Sequence, residues 1–276
     1  MTRATLVVMA AGLGSRFGGV KQLAAVGPGG EVILDYTIRD AVAAGVDEVV
    51  LIVRRDILED TKAHVRSIHG EELTLTLVCQ DEFGPPREKP WGTVHAVLSA
   101  ADAVTTPFIL ANADDYYGPS SFQIAFDRLS DLDSSRGLLV AFEVAKTLPA
   151  RGTVTRGVCV IDDGTLTRID ETEDLGFADD GSITAGGKPI AASTPVSMNL
   201  WGFDNSILGA LHQQWESFHA ASANDPKAEC LLPTEISALM AGGFTVEMAS
   251  SPETWAGLTN PDDLEAVRGL ITELRS

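Results

Sequence analysis

The chain has 276 residues, of which 45% are apolar, and a formal net charge of −19 at pH 7. A chain of this length buries one large core, and so acidic a protein is not expected to bind nucleic acid or an anionic membrane surface. No apolar run approaches the roughly 20 residues that span a bilayer. Three scattered cysteines without metal-ligand spacing predict buried or free thiols in a cytoplasmic protein.

The first half of the chain alternates predicted strands and helices. Strands are predicted over residues 6–11, 48–53, 73–79 and 107–111, and helices over residues 34–44, 56–69 and 93–102. Gly45 is expected to end the first helix as a C-cap. This alternation predicts an α/β fold with a mostly parallel sheet and helices on both faces, where ligands bind beyond the carboxyl ends of the strands.

The second half is richer in predicted strands. These cover residues 137–144, 157–162, 166–170, 196–203 and 244–249, with helices over residues 234–241 and 261–274. Asp163-Gly164 between two of the strands is a strong hairpin signal. The polar, glycine-rich residues 172–192 are expected to form a loop or lid. We predict one domain over residues 1–276, built on a Rossmann-like, doubly wound mixed sheet.

The most informative motif lies in residues 5–22. An apolar strand runs into a loop that holds four glycines, among them Gly12 and Gly14, and two cations, Arg16 and Lys21. Glycine lets backbone N–H groups approach a phosphate closely, and the two cations add positive charge at the same place. The pattern predicts a nucleoside triphosphate site.

Two common glycine motifs do not fit this loop. The P-loop requires G-x-x-x-x-G-K-[ST], whereas Lys21 lies between Val20 and Gln22. The dinucleotide fingerprint requires a glycine where the chain has Phe17. From the residues alone, a dehydrogenase and a glycine turn without a ligand remain the alternatives.

The segment A-A-G-x-G-S-R-F-G-G-x-K-Q resembles the signature loop of the sugar-1-phosphate nucleotidyltransferases and their cytidylyltransferase relatives. The resemblance implies the nucleotidyltransferase fold, with a nucleotide-binding half at about residues 1–135 and a β-rich sugar-binding half at about residues 136–276. In that superfamily the loop wraps the triphosphate. The implied nucleotide contacts are Ala11, Gly12, Gly14, Arg16 and Lys21, of which Arg16 and Lys21 are the catalytic cations.

A second segment, K-P-W-G-T-V-H-A, resembles the nucleobase loop of the uridylyl- and thymidylyltransferases of this family. Gly92 lets the backbone approach a flat base, and Thr93 is expected to hydrogen-bond the base while it caps the following helix. Gln80 ends the preceding strand, and its amide offers a donor and an acceptor to uracil or thymine. His95 is given no catalytic role.

Asp114 and Asp115 follow a predicted strand in the phrase I-L-A-N-A-D-D-Y-Y-G. Carboxylates at a strand end are ligands of hard cations, and Mg²⁺ is the usual partner of triphosphates. In the resembling family an aspartate at this strand end holds Mg²⁺. Asp114 is the preferred catalytic metal ligand and Asp115 the second candidate, with a turn-capping role as the alternative for either.

The sugar-binding residues are implied by resemblance in the second half. The predicted hairpin resembles a family segment that touches sugar hydroxyls, which implies contacts at Gly157 and Glu171. The segment S-M-N-L-W-G resembles the strand whose asparagine contacts the sugar, which implies Asn199. A surface hairpin, and a protein partner for Asn199, are the alternatives. Many relatives hold the sugar phosphate with a lysine where this chain has Thr172.

The last motif, T-W-A-G-L-T-N-P-D-D-L, is similar to the family segment W-x-D-x-G-T-x-x-D-L, whose first aspartate is the second metal ligand. This chain has Gly257 there, so that Thr259, Asn260, Asp262 or water is expected to complete the shell.

The resemblance as a whole implies Mg²⁺-dependent transfer of a nucleotidyl group from UTP or dTTP to a sugar 1-phosphate. The alternatives are a cytidylyltransferase acting on a phosphorylated alcohol, a non-catalytic nucleotide-sugar-binding protein, and an NAD-dependent dehydrogenase.

Overall fold

The computed structural model of the protein describes residues 3–12, 24–258 and 263–275. Its strands are β1 (Thr5–Met9), β2 (Glu48–Val53), β3 (Leu75–Cys79), β4 (Phe108–Asn112), β5 (Asp115–Tyr116), β6 (Arg136–Glu143), β7 (Val154–Asp162), β8 (Thr165–Phe177), β9 (Ile183–Ala185), β10 (Lys188–Pro189), β11 (Pro195–Phe203), β12 (Thr245–Ser251) and β13 (Ala256–Gly257). Its helices are α1 (Ile33–Ala44), α2 (Leu58–His69), α3 (Thr93–Ser99), α4 (Pro119–Leu129), α5 (Ile207–Ser222), α6 (Leu232–Ala241) and α7 (Asp263–Arg275). None of these helices is long and apolar enough to cross a membrane.

Within the part of the chain that the structure describes, eleven strands form one mixed sheet. Its order is β10–β9–β8–β12–β6–β11–β4–β1–β2–β3, and β7 pairs with β11 and β8. The strands β4, β1, β2 and β3 are parallel to one another, whereas β11 lies antiparallel between β4 and β6. The predicted α/β fold with a mixed sheet is confirmed. A second, two-stranded sheet pairs β13 with β5.

Side-chain alternation along β1 divides the core between the two faces of the sheet. Leu6 and Val8 pack in one cluster with residues of α1, α2 and α4. Val7 packs in another with residues of α3, α5 and α6. Because successive side chains of a strand point to opposite faces, these clusters place helices on both sides, as a doubly wound sheet requires.

The turn signals of the sequence are confirmed. Gly45 follows α1 with a φ of 118°, and its N–H donates to Val42 O, as expected of a left-handed C-cap. Asp163 and Gly164 join β7 to β8 with φ angles of 44° and 77°, which suit a type I′ hairpin turn.

The prediction of a loop or lid over residues 172–192 is wrong. These residues hold the end of β8 together with β9 and β10, and Leu175 pairs with both Val154 of β7 and Ala185 of β9. Leu175 and Ile183 are buried. Two apolar residues on paired strands stabilise an extension of the sheet despite the polar residues between them.

Helices α4 and α5 were not predicted, although the sequence contains signals for both. In α4, Pro119 occupies the first turn, where a proline is well tolerated. In α5, Leu208, Leu211 and Trp215 recur at helical spacing and are all buried.

Candidate active site

The carboxyl ends of β1 and β4 lie side by side, because the N–H of Ala113 donates to the carbonyl of Met9 at 3.1 Å. Ala11 and Gly12 continue from β1, and Ala11 is buried. The predicted glycine-loop residue and cations, Gly14, Arg16 and Lys21, lie outside the described residues. The structure thus brings the start of the glycine loop to the same edge as the aspartates that follow β4.

Asp115 is held by residues around the end of β4. Its Oδ2 accepts hydrogen bonds from Asn112 Nδ2 at 2.8 Å and from the Tyr117 hydroxyl at 3.3 Å. Asp114 is half-buried, and its carbonyl accepts from the N–H of Leu258 at 3.0 Å. The two predicted metal ligands therefore lie between β4 and the segment that contains β13.

Position 257, where the family segment has an aspartate, faces the Asp115 carboxylate. Gly257 pairs with Asp115, and a Cβ at Gly257 would lie 2.8 Å from Asp115 Oδ1. The same Cβ would lie 2.5 Å from the ring of Trp255. Trp255 thus fills the space that a longer side chain at position 257 would need.

The donor chemistry at this edge fits Mg²⁺. Mg²⁺ binds proteins through one or two carboxylates, keeps several waters and takes its other ligands from phosphates. In residues 3–12, 24–258 and 263–275, no group of three or more His, Cys, Asp or Glu side chains is placed to hold a metal. Asp114 and Asp115 are two adjacent carboxylates at a strand end, which is the number that Mg²⁺ takes from a protein.

Tyr117 is a site residue that the sequence reasoning missed. Its buried hydroxyl accepts from the N–H of Asn112 at 3.1 Å, and its single proton is shared between Asp115 Oδ2 and the carbonyl of Met198, which lies 3.0 Å away. Burial, reinforced by the Asp115 charge, raises the pKa of Tyr117 well above its ordinary value, so the phenol stays protonated. The hydroxyl ties the end of β4 to β11.

Gln80 is buried beside His95, and their hydrogen bonds define which way the amide points. His95 Nε2 lies 2.9 Å from the carbonyl of Phe83, which only accepts, so Nε2 carries the proton. His95 Nδ1 is then an acceptor, and Gln80 Nε2 donates to it at 3.4 Å. The Gln80 Oε1 is left as an acceptor. Burial lowers the pKa of His95 and favours this neutral form.

A cavity of about 200 Å³ lies beside this pair, at the carboxyl ends of β2 and β3. Gln80, His95, Phe83 and Trp91 contribute to its walls. An aromatic wall and an amide acceptor are features that suit a flat, hydrogen-bonding ring. The structure thus places Gln80 at a cavity, next to the start of α3.

Gly92 precedes α3 with a φ of 105°, and a Cβ there would lie 2.4 Å from the carbonyl of Cys230. The prediction that Thr93 caps its own helix is wrong. Gly92 is the N-cap of α3, and the hydroxyl of Thr93 instead accepts from the N–H of Leu232 at 2.7 Å. Leu232 begins α6, so Thr93 satisfies an unpaired N–H of a helix that is distant in sequence.

The predicted sugar-side residues lie on adjacent strands. Gly157 of β7 pairs with Glu171 of β8 and with Ser197 of β11. Gly157 is buried, and a Cβ there would lie 2.6 Å from Ile169 Cγ2, whereas Glu171 is exposed. Asn199 lies two residues beyond Ser197, in a bulge of β11, with a φ of 59°. The positive φ aims this half-buried amide away from the regular strand alternation.

The cysteines are buried and free, as predicted. Burial raises the pKa of Cys159 and of Cys230 to about 12, so both stay protonated thiols at neutral pH. Neither thiol is suited to act as a nucleophile.

Residues 6–141 match the family model of the MobA-like NTP transferase domain. The fold is similar to that of the inositol-1-phosphate CTP transferase from T. maritima, with 16% identity, coverage of 100% of this chain and 98% of that one, and a TM-score of 0.68. It is also similar to a protein from Bacillus anthracis assigned as a glucose-1-phosphate thymidylyltransferase, with 13% identity, coverage of 97% and 94%, and a TM-score of 0.66. No curated protein matches the chain.

Proposed function

Because residues 6–141 match the family model of the MobA-like NTP transferase domain, we propose that the protein transfers a nucleotidyl group from an NTP to a sugar 1-phosphate. The observation that carries this proposal is the placement of the Ala11–Gly12 segment and of Asp114–Asp115 at the ends of adjacent strands. A triphosphate held by the glycine loop would lie next to carboxylates suited to its cation.

The proposed reaction is an in-line displacement. A phosphate oxygen of the acceptor forms a bond to the α-phosphorus of the NTP, the bond from that phosphorus to the bridging oxygen breaks, and pyrophosphate leaves. A phosphate monoester is mostly dianionic at pH 7, since its second pKa is about 6. The nucleophile therefore needs no general base, and catalysis depends on positioning and on stabilising charge.

We assign Arg16 and Lys21 to the phosphates of the nucleotide, and Asp114 and Asp115 to Mg²⁺. When bound, the ion would supply positive charge to the phosphate oxygens. The fit of two carboxylates at the end of β4 supports this assignment. Removal of divalent cations with EDTA is expected to abolish turnover, and addition of Mg²⁺ to restore it.

For the nucleotide we propose UTP or dTTP. The Gln80 Oε1, left as an acceptor by the hydrogen bond to His95, matches the imide N–H of uracil or thymine. The same oxygen also matches the exocyclic amine of cytosine, and a structural neighbour is an inositol-1-phosphate CTP transferase. CTP with a phosphorylated alcohol is therefore the second candidate.

A pyrophosphate-release screen tests the proposal. The four NTPs and dTTP would be crossed, in the presence of Mg²⁺, with sugar 1-phosphates, inositol 1-phosphate and phosphocholine. We expect turnover with one pair that contains UTP or dTTP. Turnover only with CTP and an alcohol phosphate would establish the second candidate, and nucleotide binding without turnover on any pair would contradict the enzymatic proposal.

A further inference from the structure

Arg156 of β7 is a half-buried cation whose hydrogen bonds go to uncharged groups. Its Nη2 donates to the carbonyl of Thr147 at 2.7 Å, its Nη1 to the carbonyl of Thr155 at 3.0 Å, and its Nε to the hydroxyl of Thr147 at 3.4 Å. Among the described residues, the charged group that acts on the guanidinium is the Asp115 carboxylate, which opposes the effect of burial on the pKa of Arg156 without forming a direct ion pair. Burial lowers the pKa of Arg156, but a guanidinium remains charged in proteins.

Two other cations of this part of the sheet pair with carboxylates. Lys146 Nζ lies 3.2 Å from Glu143, and Arg168 Nε lies 2.8 Å from Asp170. A half-buried charge is costly unless it is compensated, and among the described residues Arg156 has three hydrogen bonds to neutral groups and the longer-range attraction of Asp115, with no carboxylate in direct contact. Arg156 is thus a positive charge prepared for an anionic ligand.

Two of the five N–H groups of the Arg156 guanidinium have no partner among the described residues. A guanidinium has five N–H groups in a planar fork, and the three bonds above use one on each nitrogen. Each Nη therefore retains one N–H without a partner among the described residues. Two N–H groups on one fork suit the two oxygens of a phosphate.

Arg156 is connected to the aspartates after β4 through contacts of Trp255. Its guanidinium lies 4.8 Å from the centre of the Trp255 ring, and Trp255 packs against Gly257, which faces Asp115. The Trp255 indole N–H is buried and has no partner within the described part of the chain. A second unsatisfied donor therefore lies on the residue against which Arg156 packs.

Arg156 also adjoins the predicted sugar contacts. It precedes Gly157, which pairs with Glu171, and it is itself paired across the strands with Thr172. Residues directly opposite one another on antiparallel strands share a face of the sheet. Because successive side chains of a strand alternate, Arg156 and Thr172 point to the face opposite that of Gly157 and Glu171, and there the guanidinium reaches Trp255, beside the aspartates after β4.

We propose that Arg156 binds the phosphate of the acceptor substrate and positions it for attack on the nucleotide, an inference that rests on the proposed function. The acceptor is favoured over the nucleotide because Arg156 belongs to the β7–β8 hairpin and not to the strand ends of the first half. A cation at this place offsets the negative charges of the dianionic acceptor and the nearby carboxylates.

The test is a kinetic comparison of Arg156→Ala with Arg168→Ala, which removes an exposed arginine of the same hairpin. For Arg156→Ala the KM of the acceptor is expected to rise about tenfold or more, as for loss of a charge-assisted pair. The KM of the NTP should change less than about twofold, since a residue that contacts only one substrate affects only that substrate. Arg168→Ala should leave both constants unchanged.

A double variant separates charge from packing. Arg156→Ala combined with Thr172→Lys returns a cation to the same face from the paired strand, and we expect it to recover part of the acceptor affinity. Arg156→Lys, which keeps the charge and most of the side chain, covers the case in which Arg156→Ala does not fold. A rise in the KM of the NTP alone, or no change in either KM, would overturn the proposal.

A direct binding measurement tests the role of Arg156 separately from the proposed nucleotidyl transfer. Calorimetric titration with glucose 1-phosphate and with inositol 1-phosphate measures acceptor binding without turnover. Weaker binding to Arg156→Ala than to the unmodified protein supports the role of Arg156 even if no NTP is turned over. Equal binding overturns that role even if the enzyme is active.

Discussion

The parallel part of the sheet and the antiparallel β7–β8 part differ in how their functional residues are placed. In the parallel part, Gly12, Gln80 and Asp114 each follow a strand, and the adjacent strands bring their ends to one edge. In the antiparallel part, Gly157, Glu171 and Arg156 lie within strands, where register and pleat decide what they face. Strand ends are apparent in a sequence, whereas register is a property of the pairing.

The largest expected effect concerns the strand-end residues of the parallel part. Asp114→Ala and Lys21→Ala are each expected to lower kcat at least about 100-fold, as for loss of one electrostatic stabiliser of the transition state. Pyrophosphate release at saturating substrates measures this. Asp131→Ala and Lys62→Ala remove exposed residues of the same types and should leave kcat unchanged. Near-normal turnover of Asp114→Ala would transfer the metal assignment to Asp115.

Gly92→Ala tests the junction between the parallel part and α6. An alanine at position 92 would have to adopt a positive φ. Its methyl group would also occupy space that the Cys230 carbonyl fills. We expect a loss in the free energy of unfolding of about 2–3 kcal/mol, measured by urea denaturation. Gly70→Ala is the matched control, because Gly70 also has a positive φ but nothing lies within 4 Å of its added Cβ. Equal losses in the two variants would show that crowding against Cys230 is unimportant.

Asp35→Asn tests a buried link of the first half that lies away from the strand ends. Burial alone would raise the pKa of Asp35, but hydrogen bonds from His69, the N–H of Val32 and His64 outweigh it and lower the pKa. The stability that these bonds add is present above the ordinary pKa of 3.8 and is lost as pH falls through the lower folded-state value.

Urea unfolding of Asp35→Asn and of the unmodified protein between pH 3 and pH 7 measures this contribution. We expect a difference of about 2 kcal/mol at pH 7, typical of hydrogen bonds to a charged group, that shrinks at the acid end. A difference that is the same at every pH would contradict the role of the carboxylate charge. Turnover at neutral pH should be unaffected in the folded variant.

The smallest expected effect concerns Asn199 of the antiparallel part. Asn199→Gly accepts the positive φ of the bulge and removes only the side-chain amide. The KM of the acceptor is expected to rise by up to about tenfold, the value of one neutral hydrogen bond. Asn199→Ala removes the same amide but adds backbone strain, so it should also unfold at lower urea. An unchanged acceptor KM in both variants would favour a structural role for Asn199.

Features that depend on neighbouring residues could be predicted from the amino-acid sequence. The strand at Glu48–Val53 has the predicted bounds, Gly45 ends α1 and Asp163-Gly164 closes the hairpin. The β-hairpin also places Gly157 opposite Glu171, although their roles in binding stay predictions. Apolar periodicity and turn conformations are local properties, so the amino-acid sequence is sufficient to predict them.

Contacts between distant segments could not be predicted and are seen in the folded chain alone. Thr93 binds the N–H of Leu232, Gly257 faces Asp115, and the Arg156 guanidinium lies on Trp255. The partners in each contact are separated by about 100 residues or more, and no local pattern encodes which will meet. Buried donors and charges take whichever acceptor or aromatic face the packing of the sheet brings to them, because leaving them unpaired costs free energy.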